Sequence, residues 1–379
     1  MVLNGIDRLK KENFGLKETR LGLITSPTGV CRDLSSSIDM LYESYMLKAL
    51  YSPEHGVRGD IAAGGRVDTY IDRRTGLPVY SLYGGENRPQ EGMLDDIDAL
   101  LIDVQDIGSR YYTYISTMRN CMEACARAGK TFVVLDRPNP VGGVAVEGNR
   151  LDTAFASFVG IAPIPQRYGL TIGELALLFN REYRIGCDLK VIPMEGWKRS
   201  LYYDQTDLLW INPSPNIPGM DAALLYSGTC LFEGTSLSEG RGTTKPFEMI
   251  GAPWIDAEKL AEKLNLKKLP GVIFRPVYFR PSASKHKGEL CAGVQAHIVS
   301  RRELDSVAVG LAMLSVMREM SGGQFQWLPP NKEKGNYFID LLAGTDILRK
   351  SMDVDGYLKK CKSDSEEFKK IRKAYFLYE

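Results

Sequence analysis

Short apolar runs alternate with amphipathic stretches through the first half of the chain. Arg20-Leu21-Gly22-Leu23-Ile24 breaks at Thr25-Ser26-Pro27-Thr28-Gly29, a strand running into a turn. Helical spacing through Ile38, Met40, Leu41 and Tyr45 follows, and the apolar run from Leu47 to Tyr51 predicts a second strand. Leu77 to Tyr83 predicts another, ending at Gly84-Gly85. Ala99 to Val104 is nearly all apolar, as a strand covered on both faces of a parallel sheet should be. Tyr111 to Ala128 has helical spacing, with Tyr114, Met118, Met122 and Cys125 on one face, and Thr131 to Leu135 is again a strand. Thr171-Ile172-Gly173-Glu174 is a capping box: the Thr171 hydroxyl satisfies an early helix N–H and Glu174 reaches back. Its helix runs to about Tyr183, and Leu189 to Ile192 is a further strand. This alternation predicts an α/β fold with a Rossmann-like, doubly wound, mainly parallel sheet.

Trp210 to Gly219 carries three prolines, so it is neither helix nor central strand; a loop this rigid is often functional. A helix is expected from Asp221 to Phe232, then a glycine-rich polar loop from Glu233 to Thr244. From about Phe247 the texture changes. A helix over 256–264, strands over 272–279 and 291–299, a helix over 304–320 and a charged helical tail predict a smaller α+β domain. The expected division is residues 1–246 as the catalytic domain and 247–379 as an auxiliary domain contributing to a cleft.

Composition narrows the function classes. At 379 residues, 44% hydrophobic and 25% charged, the chain is an ordinary globular protein. Forty-eight Lys+Arg against 47 Asp+Glu give a net charge of +1, which offers no field for nucleic acid or an anionic membrane. Seven cysteines without a CxxC pair read as reduced thiols, with Cys121 and Cys125 sharing a helix face. Three histidines make a His-rich metal site hard to build, and no metal or cofactor is expected. No run is long and apolar enough to span a membrane, and Met1-Val2-Leu3-Asn4-Gly5 opens no signal peptide. The chain as written is therefore expected to be soluble and cytoplasmic, and extracytoplasmic if a signal peptide has been trimmed from it.

The candidate chemistry sits at strand ends. In Ser52-Pro53-Glu54-His55-Gly56, proline ends the strand and Gly56 permits a sharp turn, which presents Glu54 and His55 where open α/β sheets bind ligands. The loops after the other strands add Arg58, Asp106, Arg110, Tyr112, Arg137 and Asn139; later loops add Tyr168, Asn216, Glu239 and Arg241. A crevice of carboxylates, arginines and tyrosines suits a polyhydroxylated or anionic small substrate. Each has a plainer alternative: Glu54 as a helix cap or a partner of Arg58, Asp106 and Asp136 as turn formers, Arg137 and Arg241 as fold-holding ion pairs. There is no G-x-G-x-x-G after the first strand, no phosphate-binding G-x-x-x-x-G-K-[ST] and no G-x-S-x-G. Ser282-Ala283-Ser284-Lys285 matches S-x-x-K formally, which keeps a serine acyl hydrolase of β-lactamase type as an alternative.

Five motifs extend this reading: Ser52 to Gly59, Asp103 to Tyr114, Asp136-Arg137-Pro138-Asn139-Pro140, Asn212 to Pro218 and Glu239-Gly240-Arg241-Gly242-Thr243-Thr244. Together they resemble the NamZ family of exo-β-N-acetylmuramidases, also described as DUF1343, over essentially the whole chain. The resemblance implies a Rossmann-like domain, a smaller C-terminal domain and an active site in the cleft between them. It implies release of N-acetylmuramic acid from the non-reducing end of peptidoglycan fragments, with Glu54 as the catalytic glutamate. On that footing His55 and Asp106 assist, Tyr168 lines the sugar subsite, and Arg58, Arg110 or Arg241 binds the lactyl carboxylate. A non-catalytic cell-wall-fragment binding protein is the remaining alternative.

Overall fold

A computed structural model describes residues 1–54, 56–59, 69–83, 87–330 and 335–379. Seven strands form the main sheet: β1 (Arg20–Thr25), β2 (Met46–Ser52), β3 (Tyr70–Ile71), β4 (Pro78–Ser81), β5 (Ala99–Asp103), β6 (Thr131–Leu135) and β7 (Leu189–Ile192). Their order is β3-β4-β2-β1-β5-β6-β7, parallel except for the short edge strand β3. The chain winds outward from β1 through β2 to β4, then returns to β5 on the other side of β1. That reversal leaves a crevice at the carboxyl ends of β1 and β5.

The apolar runs divide their side chains between two faces, as a period of two requires. Ala99, Leu101, Val133 and Leu135 join one core cluster with Ile6 and Leu9 of α1 (Gly5–Glu12) and Ile38 and Leu41 of α2 (Ser37–Ser44). Leu100, Ile102, Phe132 and Val134 join the other, under α3 (Tyr114–Ala128) and α4 (Ile172–Glu182). The expected strands fall at β1, β2, β4, β5, β6 and β7. Two differences are informative. Residues 111–113 are not helical, because α3 starts at Tyr114 and leaves them free to line a site. The sequence reading passed over α1, whose buried face is only Gly5, Ile6 and Leu9.

The second layer comprises α5 (Met220–Thr229), β8 (Met249–Ala252), α6 (Ala257–Leu266), β9 (Val272–Phe279), β10 (Cys291–Ile298), α7 (Ser306–Glu319), α8 (Phe338–Ala343), α9 (Ile347–Lys350) and α10 (Val354–Ile371). Its antiparallel sheet has the order β8-β10-β9. β8 carries Gly251 at its centre and is too short for periodicity to reveal. α5 packs on α7 at a glycine crossing: a Cβ on Gly228 would lie 1.7 Å from the Ser306 carbonyl oxygen, and one on Gly310 2.4 Å from that of Gly228. A single apolar cluster runs from Leu100 of β5 through α3, α5 and α7 to Phe368 of α10.

The capping box at Thr171 and Glu174 forms as expected, and the C-terminus latches onto it. Glu174 also accepts from the Leu377 N–H at 2.9 Å and from Arg199, while Tyr378 donates to Asp136. All seven cysteines are buried free thiols, Cys121 and Cys125 together on α3. Among the described residues no helix is long and apolar enough to cross a membrane.

Candidate active site

β2 runs into Ser52-Pro53, and Gly56 follows at φ +80°, left-handed backbone that glycine adopts without a Cβ clash. Glu54 therefore stands at the carboxyl end of β2 in the turn expected for it. Its carboxylate is half-buried and accepts a hydrogen bond of 2.8 Å from the Thr113 hydroxyl. The Tyr83 phenol, just beyond β4, stands near the same carboxylate; burial, then the Glu54 charge, pushes it up to about 12. Because β1 lies between β2 and β5, the ends of those strands are about 10 Å apart. The loop after β5 spans that gap, which is how Thr113 reaches Glu54.

Glu54 opens into a recess of about 60 Å³. Tyr111, Tyr112 and Thr113 line it from the loop after β5, Ser214 from the proline-rich loop, Tyr226 from α5, and Arg241 and Phe247 from the loop after α5. The aromatic wall is a chain of edge contacts, with ring centroids 6.2 Å apart for Tyr112–Tyr226 and 4.7 Å for Tyr226–Phe247. Phe247 holds φ +64°, a strained state for a bulky residue, fixed by its N–H bond of 2.7 Å to the Glu239 carbonyl. Arg241 lies 5.2 Å over its ring.

Arg241 is already paired. It binds Glu233 at 2.5 Å and lies 3.4 Å from Glu239, which Lys285 meets at 2.7 Å. Burial pushes the Glu233 carboxyl above its ordinary value, against the pull of Arg241. Two acids and two bases thus form one largely buried network behind the recess, and Arg241 reaches it as a neutralised group.

The other expected site residues occupy different places. Asp106 is buried: its Oδ2 accepts from the Gly108 N–H at 2.7 Å and from the Tyr168 hydroxyl. Burial pushes its pKa up to about 6, the two hydrogen bonds partly opposing that. Tyr168 is fully buried and bonds to Asp106. Arg110 is also fully buried and donates to the carbonyls of Asn149, Ile164, Leu342 and Ala343, tying the loop after β5 to α8. Arg137 makes a two-pronged pair with Asp103, at 2.6 and 2.9 Å, and Asn139 donates to the Leu170 carbonyl. Arg58 grips Asp72 at 2.7 and 3.0 Å, outside the recess. Asn216 lines a wider groove beside the recess. His55 lies outside the described residues. The sequence reading missed Tyr83 and Thr113 as partners of Glu54, and Tyr226 and Phe247 as walls; the strained φ at Phe247 has no sequence signature.

The S-x-x-K match does not form a Ser–Lys pair. Ser282 donates to the Gly242 carbonyl at 2.8 Å, while the Lys285 ammonium binds Glu239 and the carbonyls of Phe232 and Thr235.

Comparison with known proteins decides the family. The N-terminal domain of exo-β-N-acetylmuramidase NamZ matches residues 21–221, and the C-terminal domain of the same family matches residues 224–378. The chain belongs to the NamZ family. The peptidoglycan β-N-acetylmuramidase NamZ of Bacillus subtilis (strain 168) is 46% identical over 387 residues, spanning 100% of this chain and 91% of that protein. Two crystal structures of DUF1343 family proteins from Bacteroides fragilis NCTC 9343 share the fold. One superposes with a TM-score of 0.91 at 42% identity, the other with 0.77 at 32%, each covering 100% of this chain and 99% of its own. The break between the two NamZ domains falls at the start of α5, whose partner is α7. The recess is therefore walled from both sides of that break: Glu54, Tyr112 and Ser214 on one, Tyr226, Arg241 and Phe247 on the other.

Proposed function

We propose that this protein is an exo-β-N-acetylmuramidase, a glycoside hydrolase that releases N-acetylmuramic acid from the non-reducing end of peptidoglycan fragments. Membership of the NamZ family supports the substrate class. The observation that carries the chemistry is the placement of Glu54, a half-buried carboxylate held by the Thr113 hydroxyl, with the Tyr83 phenol nearby, at the mouth of an aromatic recess. Glycoside cleavage needs a carboxyl group that protonates the departing oxygen as the anomeric C–O bond breaks, and afterwards takes a proton from water. Glu54 is that group. Thr113 fixes its rotamer, and the rings of Tyr112, Tyr226 and Phe247 exclude bulk water around it. Asp106, paired with Tyr168 and outside the lining of the recess, assists by holding the loop after β5 through the Gly108 N–H. His55 follows Glu54 directly in the chain and keeps its proposed assisting role.

Glu54→Gln tests this. The amide is close in shape and still accepts from Thr113, so the fold is retained while the proton donor is lost. Turnover of a chromogenic N-acetylmuramide is expected to fall by about 10²–10⁴-fold, the usual contribution of general acid–base catalysis. A near-wild-type rate overturns the assignment. A wild type that cleaves N-acetylglucosaminides as readily as muramides overturns the substrate class.

A further inference from the structure

The recess at Glu54 is too small for a sugar chain: at about 60 Å³ it holds little more than the reacting atoms. Beside it lies a groove of about 930 Å³. The two meet along the same loops, because Ser214 and Arg241 line the recess while Pro215, Asn216, Gly242 and Thr243 line the groove. Its floor comes from β9 and the residue after it, with Arg275, Tyr278 and Arg280.

Three features describe an occupant. First, the two arginines differ from those considered so far. Arg58, Arg137 and Arg241 face carboxylates, and Arg110 is filled by carbonyls. Among the described residues Arg275 bonds the side chains of Gln295 and His297, and Arg280 the Gly288 carbonyl. Both are exposed, and among the described residues neither has a carboxylate at ion-pair distance. Guanidinium groups left open in a concave site suit a carboxylate ligand. Secondly, Arg275, Val277 and Phe279 alternate onto the face of β9 that meets Met249 in the groove, so the Arg275 guanidinium stands beside an apolar floor that suits a sugar ring. Thirdly, β9 is an edge strand, but Pro276 sits within it and has no N–H for a further ladder. An added peptide strand is disfavoured there, whereas a saccharide needs no ladder.

We propose that this groove carries the glycan on the far side of the scissile bond, with Arg275 and Arg280 binding the carboxylate of its inner muramic acid and Val277 and Phe279 forming the apolar floor under a sugar ring. This rests on the muramidase reading above. It makes the protein a chain-reading enzyme, favouring oligosaccharides whose acidic sugars continue beyond the cleaved bond.

The test compares two substrates on each variant, so that the active fraction cancels. One is an aryl N-acetylmuramide, whose only carboxylate is on the sugar released. The other is a β-linked tetrasaccharide of alternating N-acetylmuramic acid and N-acetylglucosamine. The ratio of kcat/KM, tetrasaccharide over aryl glycoside, is expected to fall about tenfold for each of Arg275→Gln and Arg280→Gln, mainly through KM, as for loss of one charge-assisted hydrogen bond. An unchanged ratio overturns the proposal: if both substrates lose equally, the arginines grip the terminal sugar, and if neither loses, the groove is idle. Calorimetric titration of Glu54→Gln with the intact tetrasaccharide separates this from the muramidase reading. Arginine-dependent binding there upholds the groove even if the wild type hydrolyses no muramide; binding indifferent to both arginines sinks it even if hydrolysis is normal.

Discussion

Asp106→Asn offers a quantitative check on the buried pair behind the recess. Asp106 is 5% exposed, with Oδ2 bonded to Tyr168 and to the Gly108 N–H, and Oδ1 has no hydrogen-bond partner among the described residues. Burial raises its pKa from 3.8 to about 6. A shift of about 2 units corresponds to ~3 kcal/mol between the protonation states. For an acid with a raised folded-state value, the unfolded chain gives up its proton first. The stability Asp106 contributes is thus fully present below the unfolded value near 4, and is lost as pH rises through 6. Asparagine cannot titrate. The stability of wild type relative to Asp106→Asn should therefore fall by about 3 kcal/mol between pH 4 and pH 8, whatever the absolute offset from the new amide. Urea unfolding of both proteins, followed by tryptophan fluorescence at unit pH intervals, measures that difference. A flat difference would refute the reasoning. A rising one would mean that the hydrogen bonds outweigh desolvation and hold Asp106 as a stabilised anion.

Two further substitutions probe the scaffold. Thr113→Val removes the hydroxyl that donates to Glu54; at ~1.5–3 kcal/mol for a hydrogen bond to a charged group, kcat/KM on the aryl muramide should drop at least about tenfold, with Thr113→Ser restoring most of it. Equal rates for valine and threonine would show that Glu54 does not depend on this bond. Arg110→Met removes the donor to four buried carbonyls, of which that of Ala343 keeps the Tyr357 hydroxyl, so the urea midpoint should report a loss of at least about 3 kcal/mol, while kcat per folded molecule stays within a few-fold. A large loss of kcat in protein that remains folded would instead give Arg110 a direct part in the chemistry.

Much of the scaffold was legible from local pattern. Ala99 to Asp103 is apolar at every position but the last because both faces of β5 are covered, and Thr171 with Glu174 marks the start of α4 in four residues. The turn at Pro53 and Gly56 places Glu54 at a strand end through the backbone properties of two residues alone. These are short-range effects, so a linear reading reaches them. The motif resemblance likewise reached the family and, through it, the proposed catalytic glutamate.

The arginines show where such reading stops. Arg58, Arg110, Arg137 and Arg241 all follow strands or flank glycine turns, and by type and position they were equivalent candidates for a carboxylate ligand. Their fates differ because no periodic pattern selects their partners: Asp72 and Glu233 across loops, Asp103 on a neighbouring strand, and for Arg110 carbonyls as distant as Ala343. Arg275 and Arg280, in a strand that looked merely structural, are the ones left without a carboxylate. The sequence by itself determined the layered α/β frame and the strand end at which Glu54 stands, since both follow from periodicity and backbone preference over a few residues. The tertiary structure alone decided which charges are neutralised and which face the cleft, and brought Thr113 and Tyr83 to Glu54, because pairing across a sheet depends on strand order, and strand order is a long-range property that no local pattern encodes.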